Sequence, residues 1–294
     1  MVDDHVSVES IVWPKVSIVV PVLNQVRFLD EALRSVLDQG YPNLELVVMD
    51  GGSTDGSLDI IERYSARIAH WESVVDNGQS HAISKGLARC SGDLFNWLNG
   101  DDVLVEGSLL SAATHWIEKG KPAMIYGRAD KVDEMGRCIK RGVYRPFDRR
   151  LLLDLYYITQ PSCFYSREVM NALGGIDTAC DFAMDWDLAV RMARDGRVES
   201  VDELWSRLRV YPSTKTSIGG IRRAREIARI GFKYSGFRSK NFWVFHAMNS
   251  FELVGALKGR TISLWMRKAL DTVFSKIWDP NGFMVHLKDF ERGC

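Results

Sequence analysis

The segment Leu94–Asp102, LFNWLNGDD, holds the densest chemistry of this 294-residue chain. It reads as a short apolar strand that stops on a glycine and two adjacent carboxylates. Neighbouring acids at the end of a buried strand repel each other and must lose water together, which is costly unless a cation sits with them. A hard divalent ion, held by one or two carboxylates and completed by substrate phosphates, is the usual arrangement. Asp101 and Asp102 therefore suggest a substrate that bears a diphosphate. Turn chemistry alone also accounts for Asn-Gly-Asp-Asp, so the surrounding elements must decide.

Those elements alternate strand and helix. Val16–Val22 is a buried-type strand, and Arg27–Gln39 places Phe28, Leu29, Ala32, Leu33, Val36 and Leu37 on one helical face. Gly40–Asn43 breaks the chain before a second strand over Leu44–Met49. Ser53 or Thr54 is placed to cap a helix from near Asp55, with Asp55 itself reading as helix-start chemistry. A weaker strand near Ile68–Val75, a helix over Ser80–Ala88 and the strand Leu94–Leu98 follow. This β-α-β-α rhythm predicts an α/β fold with a Rossmann-like, mostly parallel sheet flanked by helices, and ligands at the carboxyl ends of the strands.

Four strand ends meet on one edge of such a sheet: Pro21–Asn24, Asp50–Gly56, Asp76–Ser80 and Asn99–Asp102. Glycines there permit close backbone approach to a ligand, and helix N-termini favour anions. No GxGxxG follows the first strand and no GxxxxGK[ST] occurs, which excludes the dinucleotide fingerprint and the P-loop. Further on, Met124–Asp133 and Arg137–Tyr144 flank a hairpin turn at Glu134-Met135-Gly136. A helix over Phe182–Arg194 and a strand over Trp205–Val210 close the pattern.

Composition narrows the class. Five scattered cysteines, Cys90, Cys138, Cys163, Cys180 and Cys294, form no CxxC pair, as expected for a reducing compartment. The start MVDDHVSVES lacks the features of a secretory signal, and no apolar run reaches the roughly 18 residues of a membrane span. The six histidines show no zinc spacing. Trp97 and Trp116 read as core. The formal net charge is zero, but residues 220–294 hold 14 Lys and Arg against 6 Asp and Glu, while residues 1–219 hold 24 against 32.

The strings VSIVVPVLN, LVVMDGGSTDGS, DNGQSHAISKG and SGDLFNWLNGDD resemble glycosyltransferase family 2, the inverting enzymes of GT-A fold. The resemblance continues through Gln160–Phe164, Gly174–Asp177 and Met184–Arg191 and ends near Arg209–Thr216, roughly residues 15–217. It implies that Pro21, Leu23 and Asn24 line a nucleotide pocket together with Gly52 and Asn99, and that Asp50 hydrogen-bonds the nucleobase, usually uracil. Asp76, Gly78 and Lys85 would lie along the nucleotide and sugar. Asp101 and Asp102 match the DXD-type motif, with Asp102 favoured as direct ligand of Mg²⁺ or Mn²⁺. Asp185 falls where the family keeps its catalytic base, although a helix-capping acid is a sufficient reading of the residue alone. Met184 stands where many relatives have Glu, His81 where many have Asp, and Tyr211 where many have a histidine near the metal.

The expected organisation is a tail over 1–14, a catalytic domain over 15–218 and a basic, aromatic helical extension over 219–294. In the extension, Ile221, Ala224, Ile227, Ala228 and Gly231 form one helical face and Arg222, Arg225, Arg229 and Lys233 another, with Phe237, Phe242, Trp243, Phe245, Trp265 and Trp278 following. That pattern suits peripheral contact with the inner face of a membrane, or packing and homodimerisation, and no nucleic-acid module accompanies the charge. The resulting expectation is a cytoplasmic, metal-assisted inverting glycosyltransferase. It would pass a sugar from a nucleoside-diphosphate donor, a UDP-sugar by preference, to a hydroxyl of a glycan or lipid-linked acceptor in polysaccharide biosynthesis. The alternatives are a sugar-phosphate nucleotidyltransferase and a non-catalytic sugar-nucleotide-binding module.

Overall fold

A computed structural model describes residues 12–239 and Trp243, which fall into two compact units divided between Tyr211 and Pro212. Residues 1–11 and the rest of the extension, including Phe242, Phe245, Trp265, Trp278 and Cys294, lie outside the described residues.

In the first unit, Val16–Val22 forms strand β1 with all seven residues buried, as befits a central strand covered on both faces. Helix α1, Leu29–Leu37, buries Leu29, Ala32, Leu33 and Val36. It starts two residues later than its apolar pattern suggests. Asn24 sits at φ 53, and the Gln25 carbonyl takes the N–H groups of Phe28 and Leu29, so the chain turns before it coils. Strand β2 is Leu44–Asp50 and helix α2 is Ser57–Tyr64. Neither Ser53 nor Thr54 caps α2; Gly56, at φ 97, precedes it, and the Asp55 carboxylate accepts from the Ser57 backbone N–H at 3.0 Å. Strand β3, His70–Ser73, and helix α3, Gln79–Arg89, follow, then strand β4, Leu94–Trp97. Within α3, Gly86 lies hard against the sheet: a Cβ there would come 2.6 Å from Val19 Cγ1.

Strand β5, Val103–Leu104, leads to helix α4, Ser108–Glu118, which buries Leu109, Ala112, Ala113 and Trp116. Strand β6, Met124–Val132, pairs antiparallel with β7, Cys138–Lys140, around the expected hairpin. The second arm is shorter than Arg137–Tyr144. The Gly142 N–H turns aside to Asp130 Oδ1 at 2.7 Å, with its backbone too close to Ala129 for any side chain. Then come α5, Arg149–Asp154; β8, Cys163–Ser166; α6, Arg167–Ala172; α7, Met184–Asp195; and β9, Val198–Arg209.

The sheet runs β3-β2-β1-β4-β8-β6-β9-β5, with β7 on β6. The first four strands are mutually parallel; β8 runs antiparallel to β4 and β6, and β5 antiparallel to β9. On its two faces, Trp97 stacks on Tyr165 at 5.5 Å and Phe164 meets Trp205 edge-on at 5.6 Å, the consecutive residues Phe164 and Tyr165 of β8 pointing to opposite sides. Trp97 and Trp116 are core residues, as their composition suggests.

At the sheet edge opposite the four converging loops, Glu45 is buried in a polar cluster. It takes an ion pair from Lys15 at 2.7 Å and hydrogen bonds from Ser17, the Ser91 N–H and the Ser91 hydroxyl. Burial alone would raise its pKa, but those donors win and hold the carboxyl down at about 2.

In the second unit, Thr214 caps the short helix α8, Lys215–Ile218, and α9 covers Gly220–Ser235. Arg222, Arg225, Arg229 and Lys233 are exposed along α9, but Ile221 is exposed too, and the buried residues are Ala228, Ile230 and Gly231. Among the described residues no helix is long and apolar enough to cross a membrane.

Candidate functional site

The parallel register sets the four strand ends side by side: Val22 opposite Asp50, Asp50 opposite Ser73, and Val19 opposite Trp97. Loops then knit together across that edge. The Gly51 N–H donates to Val22 O at 2.8 Å, Asn24 N–H to Ser53 Oγ at 2.8 Å, and Thr54 N–H to Asn24 Oδ1 at 2.9 Å. Asp76 lies directly over Gly51, where a Cβ would stand 2.9 Å from Asp76 Oδ2 and push that carboxylate aside. Gly78, at φ 103, faces Asp181 Oδ1, bringing the approach to α7 over the start of α3.

Each expected residue has a definite place. Pro21 is buried at the end of β1, while Leu23 and Asn24 stand exposed on the rim. Asp50 is 2 % exposed, and its carboxylate accepts from the Gly52 N–H (3.2 Å), the Ser53 N–H (3.0 Å), the Ser73 hydroxyl (2.6 Å) and the Ser53 hydroxyl. Three of those donors fall on Oδ2 and only the Ser53 hydroxyl on Oδ1, so Asp50 shapes its loop and keeps an acceptor site on Oδ1. Gly52, at φ 89, makes the turn possible. Asp76 accepts from the Gly78 N–H at 2.8 Å. Lys85 forms an ion pair with Glu72.

The carboxylate pair sits at the middle of the edge. Asp102 is 1 % exposed; its Oδ1 accepts the Arg209 N–H at 2.9 Å and its Oδ2 the Asn99 amide at 3.1 Å. Asn99 is held in turn by the Gln79 amide. Asp101 Oδ2 accepts the Tyr211 hydroxyl at 2.8 Å. Burial raises the pKa of both acids, and for Asp102 the charge of Asp101 adds to the rise. The pair thus carries an unbalanced desolvation cost, the condition a bound cation relieves. Two hard oxygen donors suit Mg²⁺ or Mn²⁺. No group of three or more His, Cys, Asp or Glu able to hold an ion occurs among the described residues.

Two residues that sequence reasoning undervalued hold this pair. Arg209, 4 % exposed, donates from Nε to Asp101 O at 2.9 Å and from its terminal nitrogens to Asp133 O, Glu134 O and the Glu31 carboxylate. It also lies 4.5 Å over the Phe28 ring. Tyr211 packs on Phe28 at 5.2 Å, and burial, then Asp101, push its phenol pKa up. The alternation of β9 gives no warning of a buried arginine; the only signal is a cation one strand away from two unpaired acids.

Asp185 opens α7 at its second residue, with Oδ1 accepting the Trp186 N–H at 2.8 Å. Beneath it, burial chiefly, and the Asp185 charge in addition, hold Tyr156, Tyr165 and Cys163 protonated. Trp186 is 2 % exposed and donates its indole N–H to Leu152 O at 2.7 Å, so it is core and does not face a ligand.

Comparison with known proteins is consistent throughout. Residues 17–174 match the model of the family described as glycosyl transferase family 2. A PGL/p-HBAD biosynthesis glycosyltransferase of Mycobacterium tuberculosis is 29 % identical over 182 residues, 60 % of this chain and 69 % of the relative. An uncharacterized glycosyltransferase of Rickettsia felis is 30 % identical over 196 residues, 63 % of this chain and 32 % of that one. Among solved structures, S. aureus TarS 1–349 in complex with UDP-GlcNAc superposes with a TM-score of 0.60 at 18 % identity, covering 74 % of this chain and 65 % of its own. The mannosyltransferase PcManGT from Pyrobaculum calidifontis, in complex with GDP-Man and Mn²⁺, gives 0.61 at 19 % identity, covering 91 % and 82 %. These structural likenesses establish the GT-A fold.

Proposed function

The chain belongs to glycosyl transferase family 2, and from that membership we propose that it is an inverting enzyme that moves a sugar from a nucleoside-diphosphate donor, a UDP-sugar by preference, to a hydroxyl of a glycan or lipid-linked acceptor. The observation that carries this reading is the pair of half-buried Asp101 and buried Asp102 at the carboxyl edge of the parallel strands, held by Asn99, Arg209 and Tyr211. Bound there, Mg²⁺ or Mn²⁺ would neutralise charge that develops on the leaving diphosphate. PcManGT, with its GDP-Man and Mn²⁺, supports that assignment by analogy of fold.

The chain's own residues take the remaining roles. Pro21, Leu23, Asn24, Gly52, Asp76, Gly78 and Asn99 line the nucleotide, with Lys85 toward the sugar. Asp50 shapes the loop and accepts a hydrogen bond from the base through Oδ1, which takes only the Ser53 hydroxyl within the protein. Asp185 takes the proton from the acceptor hydroxyl as that oxygen attacks the anomeric carbon from the side opposite the diphosphate. Its place at the start of α7, beside half-buried Tyr156 and buried Tyr165, supports this role.

Residues 15–218 form the catalytic part in this reading, and 219–294 a basic extension that meets anionic lipid at the cytoplasmic face, or a second copy of the chain. Asp185→Asn tests the base directly. Turnover of the donor should fall by about 10³-fold while UDP affinity stays within twofold or so. Unchanged turnover would remove Asp185 from the mechanism. A thermal-shift panel of nucleotide sugars with and without Mn²⁺ identifies the donor and the metal requirement together.

A further inference from the structure

Between the β6–β7 hairpin and α7 the chain carries Lys140, Arg141, Arg145, Arg149 and Arg150, with Asp148 as the one acid among residues 140–151. All five cations are exposed, and none forms an ion pair among the described residues. Elsewhere in this unit arginines find carboxylates: Arg27 with Glu134, Arg67 with Asp38, Arg128 with Asp202, Arg191 with Asp187 and Arg209 with Glu31. The lone acid is already engaged, because Asp148 caps α5 by accepting from the Arg150 and Leu151 N–H groups.

The segment is not a loose loop. Gly142 is seated on β6 through Asp130, the Tyr126 hydroxyl donates to Arg145 O at 2.9 Å, and Tyr144 reaches Ser200 on β9 at 3.2 Å. Residues 145–151 line an open recess of about 590 Å³. The far end is fixed to the proposed base, since Leu152 O takes the indole N–H of Trp186, the residue after Asp185. The near end is fixed to the carboxylate pair, since Arg209 holds Asp133 O and Glu134 O at the hairpin tip. A fixed backbone thus presents unneutralised guanidinium groups along the route to Asp185.

We propose that Arg141, Arg145, Arg149 and Arg150 form the acceptor-binding face and that they recognise phosphate groups carried by the acceptor glycan, beside the hydroxyl that Asp185 deprotonates. Four of the five cations are arginine, whose planar fork matches phosphate oxygens two at a time and holds orientation as well as charge. The inference rests on the glycosyltransferase reading and refines its acceptor. It excludes a neutral glycan as the preferred partner.

The test uses the full chain, without nucleotide, and fluorescent dextran oligosaccharides bearing phosphate esters, alongside the unmodified dextran, dextran sulfate, and vesicles of phosphatidylglycerol in phosphatidylcholine. The expected result is binding of the phosphorylated dextran, little binding of the neutral one, and weakening by about 100-fold in R145Q/R149Q/R150Q. A control, R89Q/R194Q, removes two exposed arginines elsewhere and should change affinity less than about twofold. Both variants should melt as the unaltered chain does, and R145K/R149K/R150K should recover only part of the affinity. Equal binding of dextran sulfate, or equal weakening by the control, would reduce the face to diffuse attraction and overturn the proposal. Loss of vesicle binding alone would make it a lipid contact and overturn it too. Thermal shift by UDP-sugars is read separately: if those fail while phosphorylated dextran binds, the donor reading falls and the anion-binding face stands.

Discussion

The loops at 21–25, 50–57, 76–81 and 99–102 and the segment at 140–151 flank the same proposed reaction but are built differently. In the first set, side chains are committed to one another: Asp50 to its own turn, Asn24 to Thr54, Asn99 to Gln79 and Asp102. In the second, the backbone is committed and the cationic heads form no ion pair among the described residues, with Arg145 lying over the Tyr157 ring at 5.6 Å. A nucleoside diphosphate has a constant shape, so its side gains from complete preorganisation, which spares the ordering cost at binding. Acceptors vary, and fixing the backbone while leaving the guanidinium groups exposed and without ion pairs keeps the charge in place for them.

The contrast breaks most visibly at Asp102. Asp102→Asn should lower donor turnover by about 10³-fold or more and abolish any enhancement of UDP affinity by Mn²⁺. Retained Mn²⁺-dependent affinity, read by calorimetry, would mean that the carboxylate pair is structural. Arg209→Met comes next, since it leaves the Asp101, Asp133 and Glu134 carbonyls without their donor. A stability loss of about 3 kcal/mol is expected from denaturant unfolding. A loss below about 1 kcal/mol would show that the committed side is less rigid than its hydrogen bonds imply.

Glu45 sharpens the comparison from the opposite edge of the sheet. Its pKa is depressed in the folded chain, so it binds its proton less readily there than when unfolded. The stabilisation is therefore present above pH 4.5 and fades as the pH falls toward about 2. Glu45→Gln should cost about 2 kcal/mol at pH 7 and flatten stability across that window, while leaving nucleotide affinity alone. An unaltered acid limb in a pH series of melts would contradict the assignment. The smallest effect belongs to Tyr211→Phe, which deletes one donor to Asp101. It should weaken Mn²⁺–UDP binding by roughly fivefold with kcat nearly constant, consistent with about 1 kcal/mol for one hydrogen bond; a fall in kcat alone would place Tyr211 in the chemistry.

How much of this was legible beforehand depends on the kind of signal. The strands at 16–22, 44–50 and 94–97 and the helices at 29–37, 79–89 and 184–195 follow directly from apolar runs and 3.6-residue spacing, with ends displaced by a turn or two residues. Helix α4 went unassigned although Leu109, Ala112, Ala113 and Trp116 have the spacing for it. Strand β9 was seen only in its last third, because Asp202 and Glu203 interrupt its apolar pattern where it bulges against β6. Asp101, Asp102 and Asp185 stood out through the family resemblance, whereas by themselves turn chemistry and helix capping also account for them. The clamp of Arg209 did not, because nothing local marks an arginine as buried; only the pairing of β9 beside the Asp102 loop does. The amphipathic reading of α9 identified its basic face but placed Ile221 on the buried side, where it is not.

Gly86 shows how far a defect can travel from its symptom. It lies eight residues along α3 from Gly78, roughly 12 Å in axial rise, and touches no ligand residue. Yet a single methyl there would collide with Val19, crowd Met49 and lift the helix whose first turn steadies Asn99. A random-mutation screen for poor nucleotide affinity should therefore recover Gly86→Ala. Inspection of the pocket alone would find every contacting side chain unchanged and miss the cause.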